Sequence, residues 1–87
     1  MIIGMINKKT VNNNLYLISD LALASAIYLY YPIKTINKSN PQKAYFIFKK
    51  NKNINAIIER YWCGDLKVEP QLYFNSIKAL KNRIYNT

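Results

Sequence analysis

The chain has 87 residues, and 13 lysines and arginines outnumber 4 aspartates and glutamates, which gives a formal charge of +9 without any histidine. That length allows one small domain, and a chain that is 51% apolar is too hydrophobic to be a disordered polycation. The lack of histidine removes the commonest general base and most zinc sites, and a single cysteine cannot close an internal disulfide. We expect a small basic domain that is not an enzyme and uses no cofactor.

The positive charge has two sources in the composition. Isoleucine, asparagine, lysine and tyrosine supply 44 of the 87 residues, and A/T-rich codons encode all four, so a genome of that kind raises the lysine count by itself. The same bias does not disfavour aspartate or glutamate, so the shortage of acids is the more informative feature. It indicates either a polyanionic partner or a drift in net charge without function.

The most apolar segment runs from residue 15 to residue 33 and has to be tested as a membrane span or a signal sequence. A span needs about 20 apolar residues, but Ser19 and Asp20 interrupt this segment and Pro32 ends it. In a secretory signal, Asp20 would lie inside the apolar core. We therefore expect a buried core helix, no membrane span, and a cytoplasmic protein.

The first part of the chain predicts a strand followed by a helix. Residues 1–14 are interpreted as an N-terminal arm or an extra strand, and residues 15–18 are rich in strand formers. Asp20 is a helix-start residue because its side chain can accept a hydrogen bond from a free backbone N–H group. The helix over 21–31 is apolar nearly all round, which is typical of a buried helix.

A hairpin follows this helix. Strands over 33–38 and 43–50 flank the turn formers at 39–42. The helix-packing face of the second strand is predicted to hold Ala44, Phe46 and Phe48. Its other face is predicted to hold Tyr45 and Ile47, either exposed or covered by the N-terminal segment.

The last part of the chain predicts two helices. Asn53 or Asn55 caps the first helix, and Gly64 ends it because glycine tolerates a positive φ. Glu69–Pro70 opens the second helix, at a position where proline costs no hydrogen bond. The apolar stripe of this helix consists of Tyr73, Phe74, Ile77, Leu80 and Ile84. The prediction is a single α+β domain over 15–87 with the order β-α-β-β-α-α, its short antiparallel hairpin packed on the helices.

Several short motifs occur in a characteristic order along residues 15–87. They are Ser19-Asp20-Leu21-Ala22-Leu23-Ala24, Tyr45-Phe46-Ile47-Phe48, Tyr61-Trp62, Gly64, Val68-Glu69-Pro70, Phe74 and Leu80-Lys81-Asn82. In this order they resemble a family of small bacterial and phage domains of unknown function. The resemblance implies the α+β architecture and a bacterial or phage source, and it transfers no catalytic or binding residue. The chain departs from the family pattern at Glu69, where aspartate is commoner, and at Tyr31–Pro32, where a glycine-containing link is expected.

Few side chains have the chemistry of a catalytic or metal site. Asp20 is expected to cap a helix, Glu59 to lie on a solvated helix face, and Asp65 and Glu69 to flank a turn. Cys63 lacks a histidine partner and is interpreted as a buried thiol. Because metal-dependent phosphodiester chemistry needs several convergent carboxylates, we expect no catalytic residue, no metal ligand and no small-molecule substrate.

The binding signal lies in residues 33–53, which hold six lysines and no acid. Basic surfaces with aromatic rings suit nucleic acid, because lysine contacts phosphate and rings stack on bases. We therefore predict an accessory protein, of phage or mobile-element type, that binds DNA or RNA through this hairpin. The predicted binding residues are Lys34, Lys38, Lys43, Lys49, Lys50, Lys52 and Tyr45. Lysines on one continuous face would favour this function, and scattered lysines would favour codon bias.

The same lysines also fit roles that involve no nucleic acid. They can simply keep an apolar hairpin soluble and protect its edges. The protein can instead be an interaction module, either a homo-oligomer or an inhibitor of a host protein, or it can attach to an anionic membrane surface. Trp62 is interpreted as a core side chain, with a binding anchor as the alternative. The helix dipole suffices to explain the bases near the end of the last helix, Lys78, Lys81 and Arg83.

Overall fold

A computed structural model describes residues 14–40 and 42–85. Its elements are β1 (Leu15–Ile18), α1 (Leu21–Tyr28), β2 (Thr35–Asn40), β3 (Lys43–Lys49), α2 (Lys52–Cys63) and α3 (Pro70–Tyr85). The predicted order β-α-β-β-α-α and the α+β class are confirmed. The predicted arm or extra strand over 1–14 lies outside the described residues except for Asn14, as does Pro41 in the turn.

The strands form one antiparallel sheet in which β3 lies between β1 and β2. Tyr16 pairs with Phe48, and Phe46 pairs with both Ile18 and Ile36. Because side chains alternate along a strand, these five residues share the face that packs on the helices. The predicted packing of Phe46 and Phe48 against the helices is confirmed.

The second face of β3 points away from the helices. It carries Lys43, Tyr45, Ile47 and Lys49. Leu17 and Thr35 lie opposite Ile47 on the two neighbouring strands. Tyr45 is half-buried and Ile47 is buried. Ile47 is therefore not among the exposed side chains of this face.

Helix α1 contacts both other helices and the sheet. Asp20 caps it, as predicted, by accepting the N–H of Leu23 at 3.2 Å. The run Leu23–Ile27 is buried throughout, and its small residues let another helix approach closely. The hydroxyl of Ser76 on α3 donates to the carbonyl oxygen of Ser25 at 2.8 Å. Helix α1 is therefore the buried helix that its composition predicts.

Helix α1 ends earlier than predicted. It stops at Tyr28, three residues before the predicted end, and the chain then tightens into a turn. In that turn the N–H of Tyr30 donates to the carbonyl oxygen of Ile27 at 3.0 Å. Pro32 disfavours helical geometry in the residue before it, so the helix cannot continue through this turn.

The hairpin is shifted by two residues along its first strand. Strand β2 covers Thr35–Asn40 instead of 33–38, and β3 ends at Lys49, one residue before the predicted end. A register shift between Asn37 and Asn40 lets β2 continue to the turn. The polar side chains of residues 37–40 do not indicate from the sequence that an irregular strand stays paired with β3.

The sequence predicted the end of helix α2 but not the residue that caps its start. Asn51 caps the helix by accepting the N–H of Ile54 at 2.8 Å, whereas the predicted caps, Asn53 and Asn55, lie inside it. Gly64 ends α2 with a φ of 78°, as predicted. The cap was wrong because three asparagines follow one another at alternate positions, and tertiary contacts choose among them.

Helix α3 begins at Pro70, as predicted. Glu69 caps its first turn by accepting the N–H of Leu72 at 2.8 Å, so the departure from the family pattern still provides a cap. Leu80 is fully buried, but Phe74, predicted to lie in the core, is 60% exposed. The helix contacts α1 along one side only, and Phe74 lies outside that side.

Two residues at the end of α2 are also more exposed than predicted. Trp62 is 38% exposed and Cys63 is exposed, so their assignment to the core is wrong. The buried side of α2 is set by Ile54 and Ile58. Trp62 instead packs its ring against the edge of Tyr61, with the two ring centroids 5.0 Å apart.

Candidate nucleic-acid interface

The six hairpin lysines fall into two groups along the sheet. Lys38 and Lys43 lie near the turn of the hairpin. The other four lie toward its opposite end: Lys34, Lys49, Lys50 and Lys52. Along β3, the six-residue step from Lys43 to Lys49 corresponds to about 20 Å. Alternation places Lys43 and Lys49 on one side of β3, whereas Lys34 precedes β2 and the register shift between Asn37 and Asn40 interrupts the alternation before Lys38. The six lysines therefore do not form one continuous face, which favours codon bias as the origin of the set as a whole.

A groove of about 580 Å³ lies between the hairpin turn and the end of α3. We call it the hairpin-tip groove, and its polar lining residues are Ser19, Lys38, Asn40, Gln42, Lys43 and Tyr85. None of the described residues that line it is acidic. The Nζ atom of Lys38 donates to the carbonyl oxygen of Ile84 at 3.1 Å. This bond holds the last turn of α3 beside the hairpin, and both of its residues line the groove.

Lys43 connects the hairpin-tip groove with Tyr45. Its Nζ atom lies 5.9 Å from the centroid of the Tyr45 ring, within the range of a cation–π contact. Lys43 is exposed and Tyr45 is half-buried. Two of the predicted binding residues are therefore neighbours, but only Lys43 lines the groove.

The lysine group at the other end of the hairpin has a different environment. The Nζ atom of Lys50 lies 5.0 Å from the centroid of the Tyr16 ring, so it covers part of the core. Burial, and after it the charge of Glu59, raises the pKa of the Tyr16 hydroxyl. A carboxylate thus acts on the same region as Lys50, which makes this end less favourable for a polyanion than the hairpin-tip groove.

The acids that lie nearest to helix starts are used as caps. Asp20 caps α1, and its other oxygen accepts the hydroxyl of Tyr61 at 3.4 Å. The hydroxyl of Tyr73 donates to the carbonyl oxygen of Ala22 at 3.0 Å. Burial, followed by the charge of Asp20, raises the pKa of both Tyr61 and Tyr73. Because Glu69 caps α3, two of the four acids serve helix starts instead of balancing the hairpin lysines.

The ordered motifs of residues 15–87 coincide with a match between this chain and a protein family. Residues 13–86 match the model of a family described as a domain of unknown function, DUF5659. The chain belongs to the DUF5659 family. The resemblance that the motifs indicate is therefore confirmed over almost the whole of residues 15–87. Comparisons of this DUF5659 chain with curated proteins and with solved structures find no match.

Sequence reasoning missed two exposed rings of the DUF5659 domain. Phe74 is 60% exposed and Tyr85 is 74% exposed, both on α3. The Nζ atom of Lys78 lies 5.3 Å from the centroid of the Phe74 ring. The signal that could have found them is their spacing, because residues eleven apart lie on the same side of a helix after three turns. Because Phe74 was assigned to the apolar stripe predicted for α3, its eleven-residue spacing from Tyr85 was not recognised.

The described part of this DUF5659 chain contains no helix that is long and apolar enough to cross a membrane. Within residues 14–40 and 42–85, histidine, cysteine, aspartate and glutamate side chains form no group of three or more that could hold a metal ion. The groups that the hairpin-tip groove offers for binding are the ammonium groups of Lys38 and Lys43 and the exposed ring of Tyr85.

Proposed function

We propose that this DUF5659 chain binds single-stranded nucleic acid, without catalysis, in the hairpin-tip groove. The observation that carries this proposal is the groove itself: Lys38, Lys43 and Tyr85 line it, and no acid is found among its described lining residues. Lysine ammonium groups and an exposed ring are the two elements with which proteins hold a single strand. A bacterial or phage source stays a prediction from the family resemblance.

Single strands fit the groove better than a duplex does. The exposed ring of Tyr85 can stack only on a base that is not already stacked inside a double helix. A helix or a two-stranded ribbon can read the major groove of a duplex, but the lysines of this hairpin lie in two groups about 20 Å apart along β3. The groove therefore favours a ligand that is thin, anionic and rich in accessible base faces.

Lys43 is the lysine with the most direct role in this proposal. It is exposed, it lines the groove, and its ammonium group lies over the Tyr45 ring. Lys38 contributes its charge to the same wall, but its ammonium group also holds the carbonyl oxygen of Ile84. Substitution of Lys43 is therefore the cleaner test, because it removes a charge from the groove without loosening the end of α3.

Fluorescence anisotropy with labelled oligothymidylate, oligouridylate and a DNA duplex tests the proposal at two salt concentrations. We expect both single strands to bind more tightly than the duplex, with affinity falling as salt rises because bound phosphates release counterions. Lys43→Gln combined with Tyr85→Ala should weaken binding about tenfold or more, since one phosphate contact and one stacking surface of the groove are lost.

The matched control is Lys67→Gln combined with Tyr30→Ala, which removes the same two side-chain types at positions outside the hairpin-tip groove. It should change affinity only slightly, through the lower net charge. Equal losses in the two double variants would contradict binding in the groove. Absence of binding to all three nucleic acids at low salt would contradict the function itself and favour the protein-interaction alternative.

A further inference from the structure

The exposed side of α3 carries two rings and two lysines in one line. The residues of this line, which we call the α3 stripe, are Phe74, Lys78, Lys81 and Tyr85. Their spacing of four, three and four keeps them within a sector of about 60° around the helix axis. From Phe74 to Tyr85 the stripe is about 16 Å long, at 1.5 Å per residue. Both ends of the stripe are therefore aromatic and its middle is basic.

Packing does not explain the α3 stripe. The side of α3 that contacts α1 is a different one, where Leu80 is fully buried and Ser76 donates to the carbonyl oxygen of Ser25. The helix dipole accounts for a lysine near the end of the helix, but it gives no reason to leave Phe74 and Tyr85 exposed. The ammonium group of Lys78, 5.3 Å from the Phe74 centroid, shows that the basic and aromatic side chains of the stripe are in contact.

The α3 stripe is continuous with the hairpin-tip groove. Tyr85 belongs to both, since it ends the stripe and lines the groove together with Lys38 and Lys43. The bond from Lys38 to the carbonyl oxygen of Ile84 fixes this junction. The acid nearest to the stripe along α3 is Glu69, which lies before the helix and accepts the N–H of Leu72. A single nucleic-acid strand in the groove can thus continue along the α3 stripe without meeting an acidic side chain of α3.

We propose that the α3 stripe is a second segment of the nucleic-acid site, so that one single strand runs from the hairpin-tip groove along α3 to Phe74. This inference rests on the proposed function. Phe74 and Tyr85 stack on bases, and Lys78 and Lys81 contact the phosphates between them. A stacked strand has one phosphate every 3.4 Å, so the stripe accommodates about five nucleotides.

An anionic membrane surface is the other polyanion that lysines and rings could meet, and the geometry of α3 disfavours it. A helix that lies in a membrane interface buries a broad apolar face in the lipid. The apolar face of α3 is already occupied, because Leu80 packs in the core. What remains is a narrow stripe with two rings, which matches a single strand better than a lipid surface.

Oligonucleotide length separates the two segments of the site. Fluorescence anisotropy is measured at low salt with labelled oligothymidylates of 4 and 12 nucleotides, on wild type and on Phe74→Ala combined with Lys78→Gln. Tyr85 is left unchanged because it also lines the groove. We expect the variant to bind the longer strand about tenfold more weakly and the shorter strand as wild type does. The salt dependence for the longer strand should fall by about 0.7 in slope for the lost phosphate contact.

The control is Leu72→Ala combined with Lys67→Gln. Leu72 is 59% exposed on α3 but lies off the stripe, so this variant removes a similar apolar area and the same charge. It should leave the length dependence unchanged. Circular dichroism of both double variants checks that they are folded.

The two proposals fail in different ways. If the Phe74–Lys78 variant binds both lengths like wild type while the Lys43–Tyr85 variant weakens both, the stripe is not part of the site and the proposed function stands. If wild type binds neither length, both proposals are wrong. Sedimentation with phosphatidylserine vesicles that is lost in the Phe74–Lys78 variant, with unchanged oligonucleotide binding, would overturn the inference in favour of a lipid surface.

Discussion

Both sides of α3 carry large apolar or aromatic side chains, but these lie in different environments. On one side, Leu80 is fully buried and Tyr73 and Ser76 donate to carbonyl oxygens of α1. On the other side, Phe74 and Tyr85 stay exposed beside lysines. The comparison teaches that a large ring at a helical position identifies neither core nor surface by itself. The position of the neighbouring helix decides, and here α1 covers only one side.

The strongest test of this comparison is the stability of matched alanine variants on the two sides of α3. Leu80→Ala should lower the free energy of unfolding by about 2–5 kcal/mol, because it leaves a cavity in the core. Phe74→Ala should lower it by less than about 0.5 kcal/mol, as a surface substitution does. Urea denaturation followed by circular dichroism measures both. A loss at Phe74 as large as that at Leu80 would place Phe74 in the core.

A smaller effect is expected where α1 begins, next to the buried side of α3. Asp20→Ala should cost about 1 kcal/mol of unfolding free energy, because the N–H of Leu23 loses its acceptor. Asp20→Asn keeps a capping oxygen and should cost less than about half of that. Chemical denaturation of both variants, with the exposed Asp65→Ala as control, checks this order. Equal losses in Asp20→Ala and Asp20→Asn would mean that the charge matters more than the cap.

The smallest effect, confined to alkaline pH, concerns the tyrosines around Asp20. Burial, followed by the charge of Asp20, raises the pKa of Tyr61 and Tyr73 above the usual value of 10.0. A folded-state pKa above the unfolded one gives stability that is complete below about pH 10 and is lost as pH rises through the folded pKa. We expect the protein to lose stability there, and Tyr61→Phe with Tyr73→Phe to lose less.

Thermal unfolding by circular dichroism between neutral and strongly alkaline pH measures this loss. Tyr30→Phe is the matched control, because Tyr30 is exposed and its replacement should leave the alkaline loss as it is in wild type. A double variant with the same alkaline profile as wild type would show that Tyr61 and Tyr73 do not control this transition.

The elements were predictable where local chemistry decides them. The apolar run after Asp20 indicated a buried, capped helix, and Gly64 and Pro70 marked where α2 ends and α3 begins, because only glycine favours a positive φ and proline fits a first helical turn. Caps among equivalent residues were not predictable. Asn51, Asn53 and Asn55 have the same side chain, and the packing of Ile54 in the core selects Asn51.

The candidate site was predictable only in its composition. Residues 33–53 indicated a basic hairpin without acids, but the length of β3 separates its lysines into two groups about 20 Å apart. Only Lys38 and Lys43 of the predicted set line the hairpin-tip groove. Tyr85, which completes the groove, comes from a helix far along the chain, and no local pattern links it to the hairpin.

The sequence by itself determined the order of the elements, the end of α2 at Gly64, the start of α3 at Pro70 and the excess of lysine over acid. Each of these depends on residue type and short-range spacing. The tertiary structure alone decided which distant elements meet, as where Lys50 lies over the ring of Tyr16. The bond from Lys38 to Ile84 joins residues 46 positions apart, and the packing of one side of α3 on α1 leaves the other side exposed. Such contacts depend on how the sheet and helices pack in space, and that packing is not encoded in any single segment.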